Sequence, residues 1–239
     1  MKNWYSPRWF EIFLETIQPT QMETEVQFIA RQLPLSRYKN ILDLCCGEGR
    51  HAGLLAQKGY EVTGIDRDAD ALNRAEKISG AKVRYVEMDM RYLSDLLGSF
   101  DAVVNLWQSF GYFDEATNLD VLKQISQKLT PHGRLILDIY HRNFFEHYQG
   151  IRAIERNGIV ITEKKFMTGN RLTVELDYGL SCQPDKFEWQ LYTPDEICSL
   201  ASELGLRCLL VCTGFNEKKP ATPKNPRMQL VFEKLTEQK

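Results

Sequence analysis

From residue 40 to residue 140, short apolar runs alternate with longer stretches whose apolar positions recur every three or four residues. The first kind reads as strand and the second as helix. Strands are expected near 40–45, 61–65, 82–86, 101–104 and 133–139, and helices near 50–58, 68–78 and 114–129. "AVVNL" (102–106) and "RLILDI" (134–139) are almost unbroken in apolar residues, as strands covered on both faces must be. Alternation of this kind implies a parallel sheet with helices on both faces.

The flanks have a different rhythm. Residues 7–17 read as a helix with Pro7 in its first turn. Thr20 and Glu23 form a T-x-x-E capping pattern ahead of Val26, Ile29, Ala30 and Leu33 at helical spacing. After residue 150, "GIVITEKKF" and "RLTVELDYGL" alternate apolar and polar around "TGN", the pattern of an antiparallel hairpin. "KFEWQLY" reads as a further strand. "TPDEICSLASELGL" reads as a helix capped by Thr193, with Pro194 first, Glu196 third and Gly205 at its end. "RCLLVCTGF" and "RMQLVFEKL" are two closing strands, and 216–226 between them is expected to be a loop.

Composition narrows the function class. The 239 residues suffice for one large α/β domain. Thirty Lys and Arg against 32 Asp and Glu give a net charge of −2, so bulk charge offers no footprint for nucleic acid or an anionic membrane. No window approaches the roughly 18 apolar residues of a membrane helix. Glu11 and Glu15 interrupt the start, which does not read as a signal peptide. The cysteines Cys45, Cys46, Cys182, Cys198, Cys208 and Cys212 form no CxxC and have no histidine at metal-ligand spacing. They are expected to be reduced thiols, mostly in the core of a cytoplasmic protein, with no metal site.

The stretch "ILDLCCGEGRHAGLLAQKGYEVTGID" (41–66) carries the chemistry. Gly47, Gly49 and Gly53 lie between a strand and a helix, where small residues let backbone approach a ligand at the helix N-terminus. Asp66 ends the second strand 19 residues after Gly47, the place of an acid that binds ribose hydroxyls. NAD(P) and S-adenosylmethionine both satisfy that geometry, and charge separates them. Asp43 and Glu48 beside the turn penalise a pyrophosphate and suit a ligand with a sulfonium and an ammonium.

This stretch resembles the first motif of class I S-adenosylmethionine-dependent methyltransferases. The resemblance continues through "VEMDMR" (86–91), "FDAVVNLWQSFGYF" (100–113), "PHGRLILDIY" (131–140) and "LYTPDEICSLASELGL…RMQLVFEK". It implies a Rossmann-like, doubly wound, mostly parallel seven-stranded sheet with an antiparallel β insertion after the fifth strand. It implies that Gly47 and Gly49 lie under the methionine part of the cofactor and that Asp43 faces its amino group. Asp66 would take the ribose, with Arg67 also in contact. Asp89 and Met90 would meet the adenine edge, and Asn105 and Leu106 would sit beside the methionine and sulfonium.

The acceptor is less constrained. "NLWQSFGYF" lacks the Asn/Asp-Pro-Pro-aromatic motif of nucleic-acid amino methylases and is similar to the same segment in small-molecule N- and O-methyltransferases, including natural-product and amino-sugar enzymes. A small-molecule methyl acceptor is therefore expected, with no nucleic acid and no membrane. An RNA or protein methyltransferase, or a cofactor-binding regulatory module without turnover, is the alternative. His141, after the fifth strand, is a candidate general base. Trp4 and Tyr5 are candidates for an aromatic lid, Tyr5 facing a cation. Domain organisation follows: a helical lid at 1–38, a cofactor-binding core at 39–145 and 192–239, and an insertion at 146–191. The insertion either walls the acceptor pocket or pairs with a second copy in a homodimer.

Overall fold

In a computed structural model, the structure describes residues 5–14, 17–156, 158–179 and 183–236. Trp4 and Cys182 lie outside these. An N-terminal turn, α1 (Pro7–Trp9), runs into a π-helical stretch, Phe10–Leu14, in place of regular helix over 7–14; residues 15 and 16 of the expected helix lie outside the described residues. Helix α2 (Pro19–Gln32) follows. Its cap is Gln18 and not Thr20. Pro19 at the first position starts the helix one residue before Thr20, whose carbonyl then accepts from Thr24 inside it.

The core alternates as expected: β1 (Asn40–Leu44), α3 (Arg50–Gln57), β2 (Glu61–Asp66), α4 (Ala69–Ser79), β3 (Val83–Glu87), β4 (Phe100–Asn105), α5 (Glu115–Lys128) and β5 (Leu129–Tyr140). The chain continues through α6 (Arg142–His147), β6 (Gly150–Arg156), β7 (Ile159–Thr168), β8 (Arg171–Asp177) and β9 (Asp185–Gln190). It closes with α7 (Pro194–Glu203), β10 (Leu206–Thr213), β11 (Asn216–Pro220) and β12 (Arg227–Lys234). The Thr193–Glu196 capping box on α7 forms in full.

The main sheet has the order β11-β10-β12-β5-β4-β1-β2-β3, with β1 to β5 parallel and β12 antiparallel between β5 and β10. It holds eight strands and not seven. The extra strand, β11, is the polar "NEKKP" within the expected loop. It pairs only through an irregular edge register with β10, where lysine and proline are tolerated. On one face Phe28 and Ile29 of α2 and Leu55 of α3 pack against Ile41 and Val104. On the other, Val121 and Ile125 of α5 and Ile197 of α7 pack against Leu42, Val103 and Leu230.

A second, antiparallel sheet, β6-β7-β8-β9, is the insertion. Its two ends meet where His141 bridges Tyr192 and Arg142 N–H donates to the Tyr192 carbonyl at 3.1 Å. Its inner face shares a cluster with the N-terminal segment, in which Ile12, Phe145, Ile161, Leu172 and Phe187 are buried.

Candidate functional site

Parallel strands end together, so the loops after β1, β2, β3 and β4 meet at one edge of the sheet. After β1 the backbone turns through left-handed conformations at Cys45, Gly47 and Gly49. Gly47 opens onto space, since a side chain there would touch nothing within 4 Å. Gly49 is needed for another reason: a Cβ would collide with the Tyr85 hydroxyl and Ala75, which pack beneath the turn. Asp66 braces the turn. Its carboxylate accepts from the Gly47 amide at 2.8 Å and the Asp68 amide at 3.0 Å, and each oxygen keeps a lone pair for a further donor. Burial pushes its pKa up, against the pull of these amides.

Asp43, on β1 beneath the turn, is 3% exposed. It has no ion-pair partner among the described residues. Burial pushes its pKa up to about 6, with His51 pulling down and Asp66 pushing up. Asp89, after β3, is held differently. Arg91 grips both its oxygens, at 3.0 and 2.7 Å, and despite burial keeps its pKa below the usual carboxylate range.

After β4, Trp107 and Gln108 both take positive φ, 56° and 60°, a costly conformation for side-chain-bearing residues. Asp138 on β5, fully buried, holds them there. It accepts from the Trp107 amide at 2.9 Å and the Gln108 side chain at 3.1 Å, while Gln229 and the Arg227 guanidinium satisfy its other lone pairs. The Trp107 ring then meets two guanidiniums, Arg50 at 4.7 Å and Arg227 at 5.0 Å from its centre. Its indole N–H donates to Glu25 at 3.0 Å, and the same Glu25 oxygen lies 2.7 Å from His51 Nε2.

The N-terminal segment and the insertion roof this edge. The Tyr5 ring packs at a tilt against Phe187, centroids 4.7 Å apart, and its hydroxyl lies 2.5 Å from that of Tyr112. Ser6 Oγ donates to Asp185 at 2.7 Å, beside the Tyr178 hydroxyl, which donates to the same oxygen at 2.6 Å. Beneath the roof is a cavity of about 510 Å³. Burial raises the pKa of Tyr5, Tyr112 and Tyr140, that of Tyr140 to about 12, so all three hydroxyls stay neutral.

Of the residues expected in a site, Tyr5, Asp43, Gly47, Asp66, Arg67, Asp89, Met90 and Leu106 line this cavity. Three do not. Gly49 serves the packing of Tyr85. Asn105 is buried behind the wall, where its amide donates to the Leu44 carbonyl at 2.9 Å and ties β4 to β1. His141 is 2% exposed at the base of the insertion, as cap residue of α6. Burial lowers its pKa, and it does not reach the cavity as a base. Cys45 and Cys46 line the cavity, and five cysteines are free thiols among the described residues. Sequence reading missed Trp107, Gln108, Tyr112 and the whole insertion wall of Glu163, Lys165, Phe187 and Trp189. The alternation of β7 to β9 could have given the inward face of that wall, though not what it faces.

Among the described residues, no helix is long and apolar enough to cross a membrane. Nor are three His, Cys, Asp or Glu side chains grouped to hold a metal ion.

Residues 41–133 match the family described as methyltransferase domain. The glycine/sarcosine N-methyltransferase of Halorhodospira halochloris is 32% identical over 130 residues, 52% of this chain and 48% of that protein. The chain thus spans about half the length of the curated relatives it matches. An S-adenosylmethionine-dependent methyltransferase from Clostridium acetobutylicum superposes with a TM-score of 0.80 over 96% of this chain and 97% of its own, at 15% identity. CalS10 of Micromonospora echinaspora, an amino pentose methyltransferase, does so at 0.73 over 98% and 99%, at 19% identity. The fold is that of the Rossmann-like methyltransferases.

Proposed function

We propose that the chain is an S-adenosylmethionine-dependent methyltransferase acting on nitrogen or oxygen of a small-molecule acceptor. The observation that carries this is the charge of the cavity at the strand ends. Five carboxyls line that end, Asp43, Glu48, Asp66, Asp68 and Asp89; Arg74 pairs with Glu48 and Arg91 with Asp89, which leaves Asp43, Asp66 and Asp68 facing Arg50 and Arg67. Arg50 is already spread over Trp107. A buried Asp43 without an ion-pair partner suits a ligand ammonium and repels a pyrophosphate. The match to a methyltransferase domain over residues 41–133 supports the same cofactor.

Asp43 would hold the amino group of S-adenosylmethionine over Gly47, Asp66 the ribose hydroxyls, and Asp89 with Met90 the adenine edge. Leu106 would flank the reactive end. The bound sulfonium supplies an activated methyl group, so the protein has to align an acceptor and exclude water. With His141 away from the cavity, the neutral hydroxyls of Tyr5, Tyr112 and Tyr140 are the groups able to orient an acceptor N–H or O–H. The stretch that carries Tyr5, Trp9, Phe10 and Phe13 would act as the lid, whereas α2, also within the expected lid at 1–38, is a layer on the main sheet. Amino-acid and amino-sugar methyltransferases among the similar proteins support a small acceptor.

The test is calorimetry with S-adenosylhomocysteine, followed by turnover of labelled cofactor against metabolite pools, RNA and protein extract. Asp66→Ala should weaken S-adenosylhomocysteine on the order of 30- to 1000-fold through the loss of two charge-assisted hydrogen bonds. Unchanged affinity in a folded variant would remove Asp66 from the site. Tight NADH binding by the wild type would overturn the cofactor.

A further inference from the structure

The cavity has a second end, under the insertion, and its charge is of opposite sign. We propose that Lys165 there binds an anionic group of the methyl acceptor, so that the substrate class is a small molecule bearing a carboxylate or a phosphate. The proposal rests on the methyltransferase reading above.

The register of the insertion places the groups. Arg152 pairs with Glu163 and Ile154 with Ile161, so Arg152, Ile154 and Arg156 of β6 share a face with Ile161, Glu163 and Lys165 of β7. The same face carries Leu172, Val174, Phe187 and Trp189, which are buried, and Arg156, Glu163 and Lys165 line the cavity. Charges on an otherwise apolar wall cost desolvation and need partners.

Glu163 is not the functional group. Lys165 Nζ lies 2.8 Å from one of its oxygens and Arg152 Nε 2.5 Å from the other. Those contacts hold its carboxyl below the usual range in spite of burial, so it does not serve as a base. It is the counterion that fixes Lys165. Two carboxylates of this face, Glu163 and Asp185, against Arg152, Arg156 and Lys165 leave the wall net positive by one charge. The Lys165 ammonium has three N–H groups, one directed at Glu163, and the Phe145 ring centre lies 5.7 Å away. Arg156, exposed at the turn end of the same face, has no ion pair among the described residues and adds to the positive field.

Tyr140 links the two ends. Its ring packs at 5.0 Å on Phe145, the ring beside the Lys165 ammonium, and at 5.3 Å on Trp189, which in turn packs at 5.8 Å on Tyr112, the hydroxyl partner of Tyr5. An acceptor whose nucleophile is held by the tyrosine hydroxyls therefore extends toward Lys165, with an apolar middle against Val174, Leu176 and Trp189.

The experiment titrates three probes of one shape, benzoate, phenyl phosphate and benzyl alcohol, into the full chain saturated with S-adenosylhomocysteine. At least one anion should bind on the order of tenfold tighter than the neutral alcohol. Preference for benzoate identifies a carboxylate, and preference for phenyl phosphate a phosphate. Lys165→Met should abolish the preference while Glu163 stays paired to Arg152, and Lys165→Arg should keep it. Equal binding of all three probes by the wild type, or a preference that survives in Lys165→Met, would overturn the proposal. Binding of S-adenosylhomocysteine is measured separately. Its failure would overturn the cofactor assignment, and the anion preference would then be read on the chain alone.

Discussion

Asp43 shows how burial sets a residue's task. A carboxyl at about 6 is half protonated near that pH in the free molecule. Because its pKa is raised above that of an unfolded aspartate, ionising it costs stability as pH rises through 6. A ligand ammonium offsets that cost, so binding should favour the ionised form. S-adenosylhomocysteine affinity should therefore rise roughly tenfold from pH 5 to pH 7, as measured by calorimetry. Asp43→Asn should bind more weakly and lose that rise, and an unaltered pH profile in Asp43→Asn would detach the residue from the ligand. Asp43 and Asp66 were legible in the sequence because strand ends and spacing place them. His51 was not, since its partner Glu25 lies 26 residues away on another helix. Asn105 and His141 stand apart from the cavity lining for one physical reason. Each sits near a strand end but is buried, Asn105 with its amide on the Leu44 carbonyl and His141 at the base of the insertion.

Among the elements, the N-terminal segment is both core and cover. Ile12 is 1% exposed in the insertion cluster, whereas Tyr5, Trp9, Phe10 and Phe13 line the cavity. A ligand beneath it adds contacts that the free state lacks. Amide exchange over residues 5–14 should slow when S-adenosylhomocysteine is added, and rates that match with and without ligand would mean a permanently packed segment. Asp185→Ala removes the acceptor shared by Ser6 and Tyr178. It should speed that exchange and weaken affinity by roughly three- to tenfold through the loss of one charge-assisted bond to the segment. The core strands and the capped helix α7 were readable because period and caps agree there. The polar edge strand β11 carries no period of its own and is made by the edge of β10.

At the scale of the whole molecule, one buried cluster ties the N-terminal helix to the sheet and to the site. Glu25 of α2, fully buried, joins His51 of α3 and Trp107 after β4. Although burial pushes its carboxyl up, hydrogen bonds from His51, Trp107 and Gln21 win and hold it at about 2, against an ordinary 4.5. Such a network is invisible in sequence, because three elements supply it and none shows a motif. Its consequence is a pH dependence of stability. A carboxyl whose pKa is lowered by folding contributes fully above its unfolded value of 4.5, and the contribution is lost as pH falls through about 2. The difference corresponds to about 3 kcal/mol, a large part of the stability of a domain of this size. Urea unfolding of the wild type should show stability falling by that order between pH 5 and pH 2 from this residue, on top of other carboxylates. Glu25→Gln cannot ionise, so it should be less stable at pH 7 by roughly 2–3 kcal/mol. It should also converge on the wild type as pH approaches 2. Parallel curves, with the same gap at pH 7 and at pH 2.5, would show that the network contributes packing and not charge.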